Sequence, residues 1–99
     1  MHICISRFYV VEGDPAGIAA AFRSRVRLVD DSDGFISFWA GRSTQDLRDF
    51  TIEVRFRTTA QFEAWYRSHL FKEAHAAIPG GVKLDRSRSS ISHYEVIAE

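Results

Sequence analysis

The chain of 99 residues carries 13 basic and 13 acidic side chains, so its formal net charge is zero with neutral histidines. This balance argues against a nucleic-acid-binding protein, which needs a basic surface. A hydrophobic share of 45% with 13% aromatic residues argues against intrinsic disorder. The length fits one domain, residues 1–99, built on one core.

Cysteine content and hydropathy indicate the cellular location of the protein. The single cysteine, Cys4, excludes an intramolecular disulfide and any CxxC motif, and packing is its expected role. No run of about 18 apolar residues is present, and the N-terminal stretch lacks the small-residue cleavage site of a signal peptide. We therefore expect a cytoplasmic protein with no membrane partner.

The first part of the chain predicts a strand followed by a helix. Residues 2–11, HICISRFYVV, are rich in β-branched and aromatic side chains, which favours a strand. Asp14 and Pro15 suit the cap and first position of a helix that we expect to run to about Leu28, before the polar cluster at 30–34. The apolar positions that recur every four residues along it are Ile18, Phe22 and Val26.

Two strands are predicted in the middle of the chain. Residues 35–40, FISFWA, form the first, residues 41–48 a loop, and residues 50–56, FTIEVRF, the second. The second strand alternates apolar with polar residues, so it buries one face only. Its apolar positions are Phe50, Ile52, Val54 and Phe56.

A second helix and a final strand complete the prediction. Thr58 with Gln61 matches a capping box, and the helix that starts there points Phe62, Trp65 and Tyr66 inward. Ser68 would cap a further turn through His75, and PGG at 79–81 would end the helical region. A polar connector, residues 83–90, leads to a strand at 91–97.

The element order is β-α-β-β-α-β, which predicts an α+β, ferredoxin-like fold. In that fold a four-stranded antiparallel sheet carries both helices on one face. Two short helices cover one face only, and we expect the apolar residues Cys4, Phe8, Val10, Phe38 and Trp39 to be distributed over both. We therefore expect a partner molecule, and specifically a second copy of the chain in a homodimer, to cover the other face.

The spacing of Trp65 and His75 points to a pocket. Ten residues of straight helix would separate them by about 15 Å along the axis. A bend at Ser68 would let both line one concavity, with Phe71 one turn before His75. Two histidines six residues apart, His69 and His75, lack the spacing of a helical zinc site.

Three segments carry a family resemblance. FEAWYRSHLFKEAH at 62–75, DSDGF at 31–35 and the closing YEV at 94–96 resemble the antibiotic biosynthesis monooxygenases, which are dimeric α/β barrels of ferredoxin-like subunits. The pattern Trp65-x-x-Ser68-x-x-Phe71-x-x-x-His75 is most similar to the haem-degrading branch, the IsdG-type monooxygenases.

This resemblance implies a function and a set of site residues. His75 would be the axial ligand of the haem iron, Trp65 would press on the macrocycle, and Phe22 and Phe71 would add walls. Haem would be both cofactor and substrate: dioxygen and an external electron donor would open the porphyrin ring and release iron.

One position departs from that branch. The asparagine that the branch carries on its first strand corresponds here to Ser6, whose hydroxyl is shorter and less fixed in direction than an amide. Ser6 would then act through a water, or Arg7 or another group would replace the asparagine, or the substrate would differ.

Other functions remain open at this stage. A cofactor-free monooxygenase would oxidise a phenol, a quinol or a polycyclic aromatic anion. His75 would be its base, Trp65 and Phe22 would stack on the ring, and Ser6 or Arg7 would stabilise the substrate oxygen. A non-catalytic haem-binding protein is a third reading. RNA binding is disfavoured because the third strand lacks the aromatic RNA-recognition signature.

Two further groups have structural explanations. His2 and His93 lie on strands, where solvent or an interface is a better expectation than catalysis. The basic residues Lys83, Arg86 and Arg88 are expected in a solvated loop, with a salt bridge to a haem propionate as the alternative.

Overall fold

A computed structural model describes residues 1–24, 28–68 and 82–99 of the chain, with the Leu28 side chain excepted. The described residues form five strands and two α-helices in the order β-α-β-β-α-β-β, together with short 3-10 helices at Leu28–Asp31 and Arg86–Arg88. They are β1 (His2–Glu12), α1 (Pro15–Arg23), β2 (Phe35–Arg42), β3 (Asp49–Phe56), α2 (Thr59–Tyr66), β4 (Lys83–Leu84) and β5 (Ser90–Glu95). None of the helices in these ranges is long and apolar enough to cross a membrane.

The sheet confirms the predicted ferredoxin-like topology. Its strands lie in the order β2-β3-β1-β5, and each neighbouring pair is antiparallel. The central strand β1 aligns Ser6 with Ile52 of β3 on one side and with Ile91 of β5 on the other. This cross-strand alignment fixes which side chains share a face of the sheet.

The polar connector at 83–90 contains structure that the sequence did not predict. β4 pairs with the far end of β1, where Val10 opposes Leu84 and Glu12 opposes Lys83. At eleven residues, β1 extends beyond β5, and its free backbone groups there need partners. The two residues of β4 supply them, so the prediction of an unstructured connector was wrong.

The first helix is shorter than predicted. The Asp14 carboxylate accepts a hydrogen bond from the Ala16 amide at 2.9 Å, and Pro15 occupies the first turn, as the sequence indicated. The helix ends at Arg23, where the Ser24 hydroxyl and amide both bond the Ala20 carbonyl. A 3-10 helix follows at Leu28–Asp31, and residues 25–27, including Val26, lie outside the described residues.

The second helix starts as predicted, but through half of the expected capping box. The Thr58 hydroxyl accepts a hydrogen bond from the Gln61 amide at 3.1 Å. The Gln61 side chain does not bond back to Thr58, because it lies against Gly34 instead. Gly34 has a φ of +80° and leaves the space that the Gln61 side chain occupies, which explains a glycine before β2.

The core divides into two clusters on the helix-covered face. Under α1 the buried residues are Val10, Ile18, Ala19 and Phe50. Under α2 and the 3-10 helix that precedes β2, they are Cys4, Val29, Val54, Phe56 and Phe62. Cys4 is therefore a packing residue, as expected.

The two faces of the sheet differ from the sequence-based assignment. Side chains alternate along each strand, so Cys4, Phe8 and Val10 share the helix-covered face, as does Phe38; of the residues assigned to both faces, Trp39 alone lies on the other. The outer face is mixed, because apolar residues lie there beside the polar residues Arg7, Asp49, Thr51, Glu53 and Arg55. By the same alternation it carries Ile3, Ile5, Tyr9, Val11, Trp39 and Tyr94, which are half-buried or exposed.

Candidate functional site

A cavity of about 400 Å³ opens between α1 and the sheet. Its volume lies within the range of about 300–1,000 Å³ typical of small-molecule sites. From α1 it is lined by Ala19, Phe22 and Arg23, from β2 by residues 38–42, and from β3 by Phe50. The predicted wall residue Phe22 thus lines a cavity large enough for a small organic molecule.

The walls of this cavity are aromatic. Phe22, Phe38 and Phe50 contribute rings, and Phe8 braces two of them from β1. The Phe8 ring stacks on Phe50 at 5.2 Å between centroids and lies 6.2 Å from the Phe22 centroid. Between Phe38 and Arg42 the small side chain of Ala40 leaves room for a ligand. Aromatic walls around a small-residue floor favour a flat aromatic ligand.

Two guanidinium groups line the same cavity. Arg42 is half-buried and shares the inward face of β2 with Phe38 and Ala40, whereas Arg23 is exposed in the last turn of α1. Neither makes an ion pair with any carboxylate in the described part of the chain. Sequence reasoning missed both arginines. The signal was available, because the alternation Phe38-x-Ala40-x-Arg42 places one charge on the strand's buried side.

Ser6 lies at the boundary between the two core clusters. It belongs to a row of residues that crosses the helix-covered face from Ala40 through Ile52 and Ser6 to Ile91. Two interstrand spacings, or about 10 Å, separate Ser6 from Ala40 on the cavity floor. Burial raises the pKa of the Cys4 thiol, and the neighbouring Ser6 hydroxyl offsets this only in part. Ser6 is therefore close to the cavity but does not line it.

Trp65 packs in the core under α2. Its indole stacks on Phe56 at 5.8 Å with an interplanar angle of 27°, and its centroid lies 6.0 Å from that of Phe62. The adjacent Ser68 hydroxyl donates to the Trp65 carbonyl at 2.6 Å. Trp65 points inward as predicted, but it is not among the residues that line the cavity beside Phe22.

Arg7 is separated from the other predicted site residues. It extends from the outer face of β1, opposite the face that carries Ser6, and is exposed. Its guanidinium donates to the Asp49 carboxylate at 3.5 Å. The structure does not bring Arg7 to the cavity, so it is no substitute for the missing asparagine there.

The two remaining predicted site residues, Phe71 and His75, lie outside the described residues, as does PGG at 79–81. Of the basic residues in the connector, Arg88 contacts neighbouring side chains. It lies 3.6 Å from the Asp85 carboxylate and 4.3 Å from the centroid of the Tyr9 ring. The basic residues are exposed, as expected, but they lie in β4 and the 3-10 helix rather than in a loop.

His2 and His93 form a pair that the sequence analysis did not foresee. His2 is only 7% exposed, and its Nε2 lies 3.1 Å from Nδ1 of His93. Its Nδ1 lies 3.1 Å from the Thr59 hydroxyl, and its ring stacks on Phe62 at 4.7 Å. Burial, more than the neighbouring His93, lowers the pKa of His2. The expectation that His2 faces solvent or an interface was therefore wrong, because α2 covers it.

The described residues offer little to a metal. Nowhere in the ranges 1–24, 28–68 and 82–99 do three His, Cys, Asp or Glu side chains form a group that could hold an ion. The two described histidines lie under α2 and bond each other, away from the cavity. The described walls of the cavity accordingly supply a shape for a flat ring and positive charge, but no imidazole for haem iron.

Comparison with known proteins places these features in context. Residues 1–77 match the model of the antibiotic biosynthesis monooxygenase family. A comparison with curated proteins found no match.

Solved structures share the fold at low sequence identity. SnoaB of Streptomyces nogalater, a cofactor-independent oxygenase, superposes with a TM-score of 0.77 at 14% identity, over 99% of this chain and 94% of its own. A Deinococcus radiodurans protein assigned to the antibiotic biosynthesis monooxygenases gives 0.79 at 12% identity, over 100% and 95%. A Shewanella oneidensis protein gives 0.71 at 20% identity, over 94% and 87%.

Proposed function

Because the chain belongs to the antibiotic biosynthesis monooxygenase family, we propose that it oxygenates a flat phenolic or polycyclic aromatic substrate without a metal or organic cofactor. The observation that carries this proposal is the cavity between α1 and β2, with its aromatic walls and two arginines. SnoaB, whose fold is similar, is a cofactor-independent oxygenase, which supports this reading over one that requires haem.

Oxygenation of such a substrate requires few catalytic groups from the protein. A phenol, or a ketone whose enol is a phenol, becomes electron-rich once it loses a proton, and its anion can transfer electrons to dioxygen directly. For a ring CH₂ group, one oxygen atom ends as the new carbonyl and the other leaves as water, so the substrate itself supplies all four electrons. The site must bind the ring, remove a proton and stabilise the anion.

The described residues can meet two of these needs. Phe22 and Phe50 form walls against which the ring would stack, and their apolar surfaces exclude water from the anion. Arg42 would stabilise the negative charge that develops on the substrate oxygen. For proton removal we retain the predicted base, His75, and Ser6 remains a candidate donor to the substrate oxygen.

Oxidative opening of haem is the second candidate, favoured by the spacing Trp65-x-x-Ser68-x-x-Phe71-x-x-x-His75. In that case His75 would hold the iron and haem would supply the centre at which dioxygen is reduced. The described residues do not complete this site, because Trp65 packs on Phe56 beneath α2 rather than at the cavity. We derive no catalytic step through haem.

The assembly we propose is a homodimer. The outer face of the sheet carries the apolar side chains of Ile3, Ile5, Tyr9, Val11, Trp39 and Tyr94. A second copy of the chain that packs on this face would bury these side chains, whereas α1 and α2 cover only the opposite one.

Oxygen uptake with a defined substrate tests the proposal. Anthrone is a tricyclic ketone whose enol is a phenol, and one equivalent of dioxygen converts it to anthraquinone and water. We expect the protein to accelerate this uptake in buffer containing a metal chelator, and Phe22→Ala to slow it about tenfold or more through the loss of stacking. Arg86→Gln, which changes an exposed arginine outside the cavity, is the matched control.

The same assay separates the two candidates. Uptake that appears only after haem and a reductant are added, and that His75→Ala abolishes, would favour haem opening. No acceleration under either condition would contradict both.

A further inference from the structure

On strands β2 and β3, the helix-covered face of the sheet carries one charged residue among apolar ones. On β2 and β3 the other inward side chains are Phe35, Phe38, Ala40, Phe50, Ile52, Val54 and Phe56. Arg42 interrupts this surface at the end of β2, is half-buried, and has no carboxylate partner in the described residues. A half-buried, unpaired guanidinium costs free energy unless an anion compensates it.

A second cation lines the same cavity. Arg23 follows the wall residue Phe22 in the last turn of α1. Interaction with the helix dipole explains a basic residue at that position. It does not explain why a second arginine, Arg42, faces the same cavity from a strand. With no acidic side chain among the described cavity residues, the potential inside is positive, and an anionic ligand would relieve the repulsion between the two guanidiniums.

The floor of the cavity would orient an anionic ligand. Along β2 the inward positions run from Phe38 through Ala40 to Arg42. Four residues of strand span about 13 Å, so the floor is aromatic at one end, small in the middle and cationic at the other. A fused aromatic ring over Ala40 would place a substituent at its edge beside Arg42.

We propose that Arg23 and Arg42 select substrates in which a flat aromatic ring carries a carboxylate at one edge. This inference deepens the proposed function and rests on it, because it concerns the same cavity. Guanidinium groups suit this role, since they grip a carboxylate through two parallel hydrogen bonds. Both arginines would act as specificity residues, in addition to the stabilisation of the substrate anion proposed for Arg42.

Binding of an aromatic acid that is not turned over tests the inference. The probes are anthracene-2-carboxylate and its methyl ester, which share the ring system and differ in charge, and the measurement is fluorescence titration at low salt. We expect the acid to bind about tenfold more tightly than the ester, and Arg42→Gln to remove most of that preference. Arg23→Gln should weaken it less, because Arg23 is more exposed.

Two further variants guard the interpretation. Arg42→Lys keeps the charge and should keep part of the preference, which a purely structural role of Arg42 would not predict. Arg86→Gln removes one positive charge outside the cavity and should leave the ratio of the two affinities unchanged.

The outcomes are separable from those of the oxygenase assay. Equal binding of acid and ester, no saturable binding of the acid, or an unchanged ratio in folded Arg42→Gln would each overturn the inference, even if neutral anthrone is oxidised. Charge-selective binding without anthrone oxidation would support the arginine assignment and count against the proposed reaction.

Discussion

The His2 imidazole is fixed from three sides by residues of two elements, α2 and β5. Thr59 and His93 occupy its two ring nitrogens at 3.1 Å each, and Phe62 covers its face at 4.7 Å. One N–H is enough for the bond between the two neutral imidazoles, and protonation of both rings would place two cations side by side. The charged groups that act on His2 are His93 and the N-terminus, which oppose its protonation, and Glu63, which favours it.

This arrangement makes stability depend on pH. Burial holds the pKa of His2 below its ordinary value of about 6.5, so the unfolded chain binds the proton more readily than the folded one. The contribution of neutral His2 is complete above pH 7. It is lost as pH falls from about 6.5 through the folded-state pKa.

Urea unfolding at pH 7.5 and pH 5.5 measures the effect. The free energy of unfolding of the wild type should be lower at pH 5.5 than at pH 7.5. The decrease should be smaller in His2→Gln, because glutamine does not titrate. His93→Gln should also reduce it, because it removes the opposing imidazole. Equal pH dependence in wild type and His2→Gln would show that His2 is not the responsible group.

At the level of elements, hydrophobic alternation was the most reliable signal. It identified β3 and its buried face, because a half-covered sheet imposes a period of two on its strands, whereas β1 and β2 were predicted from their β-branched and aromatic composition. The site was harder to predict. Phe22 follows from helical periodicity, whereas Arg42 lies beyond residue 40, where the predicted strand ended, although it continues the alternation of Phe38 and Ala40.

The misses have physical causes. β4 has no hydrophobic pattern that would predict a strand, because it pairs only with the end of β1 that extends beyond β5. The helix end at Arg23 and the Gln61 contact with Gly34 depend on tertiary packing, which periodicity does not encode. The burial of His2 likewise requires α2 to lie over the end of β1.

Two glycines should respond oppositely to the same substitution. Gly34→Ala forces a side chain into a φ of +80° and against Gln61, so we expect a loss of at least about 1 kcal/mol. Gly17 lies within α1, and a Cβ there would meet nothing within 4 Å. Gly17→Ala should therefore gain about 0.5–1 kcal/mol through helix propensity. Urea denaturation of both variants measures these changes in the free energy of unfolding. An unchanged stability of Gly34→Ala would refute the strain argument.

At the scale of the whole molecule, the proposed homodimer depends on the outer face of the sheet. Tyr94 is 52% exposed on this face, whereas Leu47 is 55% exposed in the loop between β2 and β3. These two residues are equally accessible in one subunit, but only Tyr94 belongs to the proposed interface. They therefore provide a matched pair for a test of the dimer.

We expect the wild type to elute from size exclusion with light scattering at twice the mass of one chain. Tyr94→Lys should shift the equilibrium toward the monomer, because it places two copies of a charge in an apolar contact. Leu47→Lys should remain dimeric. A monomeric wild type at micromolar concentration, or an effect of equal size from Leu47→Lys, would count against this interface.

The central claim is that the cavity between α1 and β2 oxygenates an aromatic ring with dioxygen alone. Oxidation of anthrone under ¹⁸O₂ by metal-depleted protein tests it most directly, with the product analysed by mass spectrometry. The account predicts anthraquinone that carries a single ¹⁸O atom, formed faster than in the absence of protein and more slowly by Phe22→Ala. Product without the label, or a rate equal to that without protein, would contradict it.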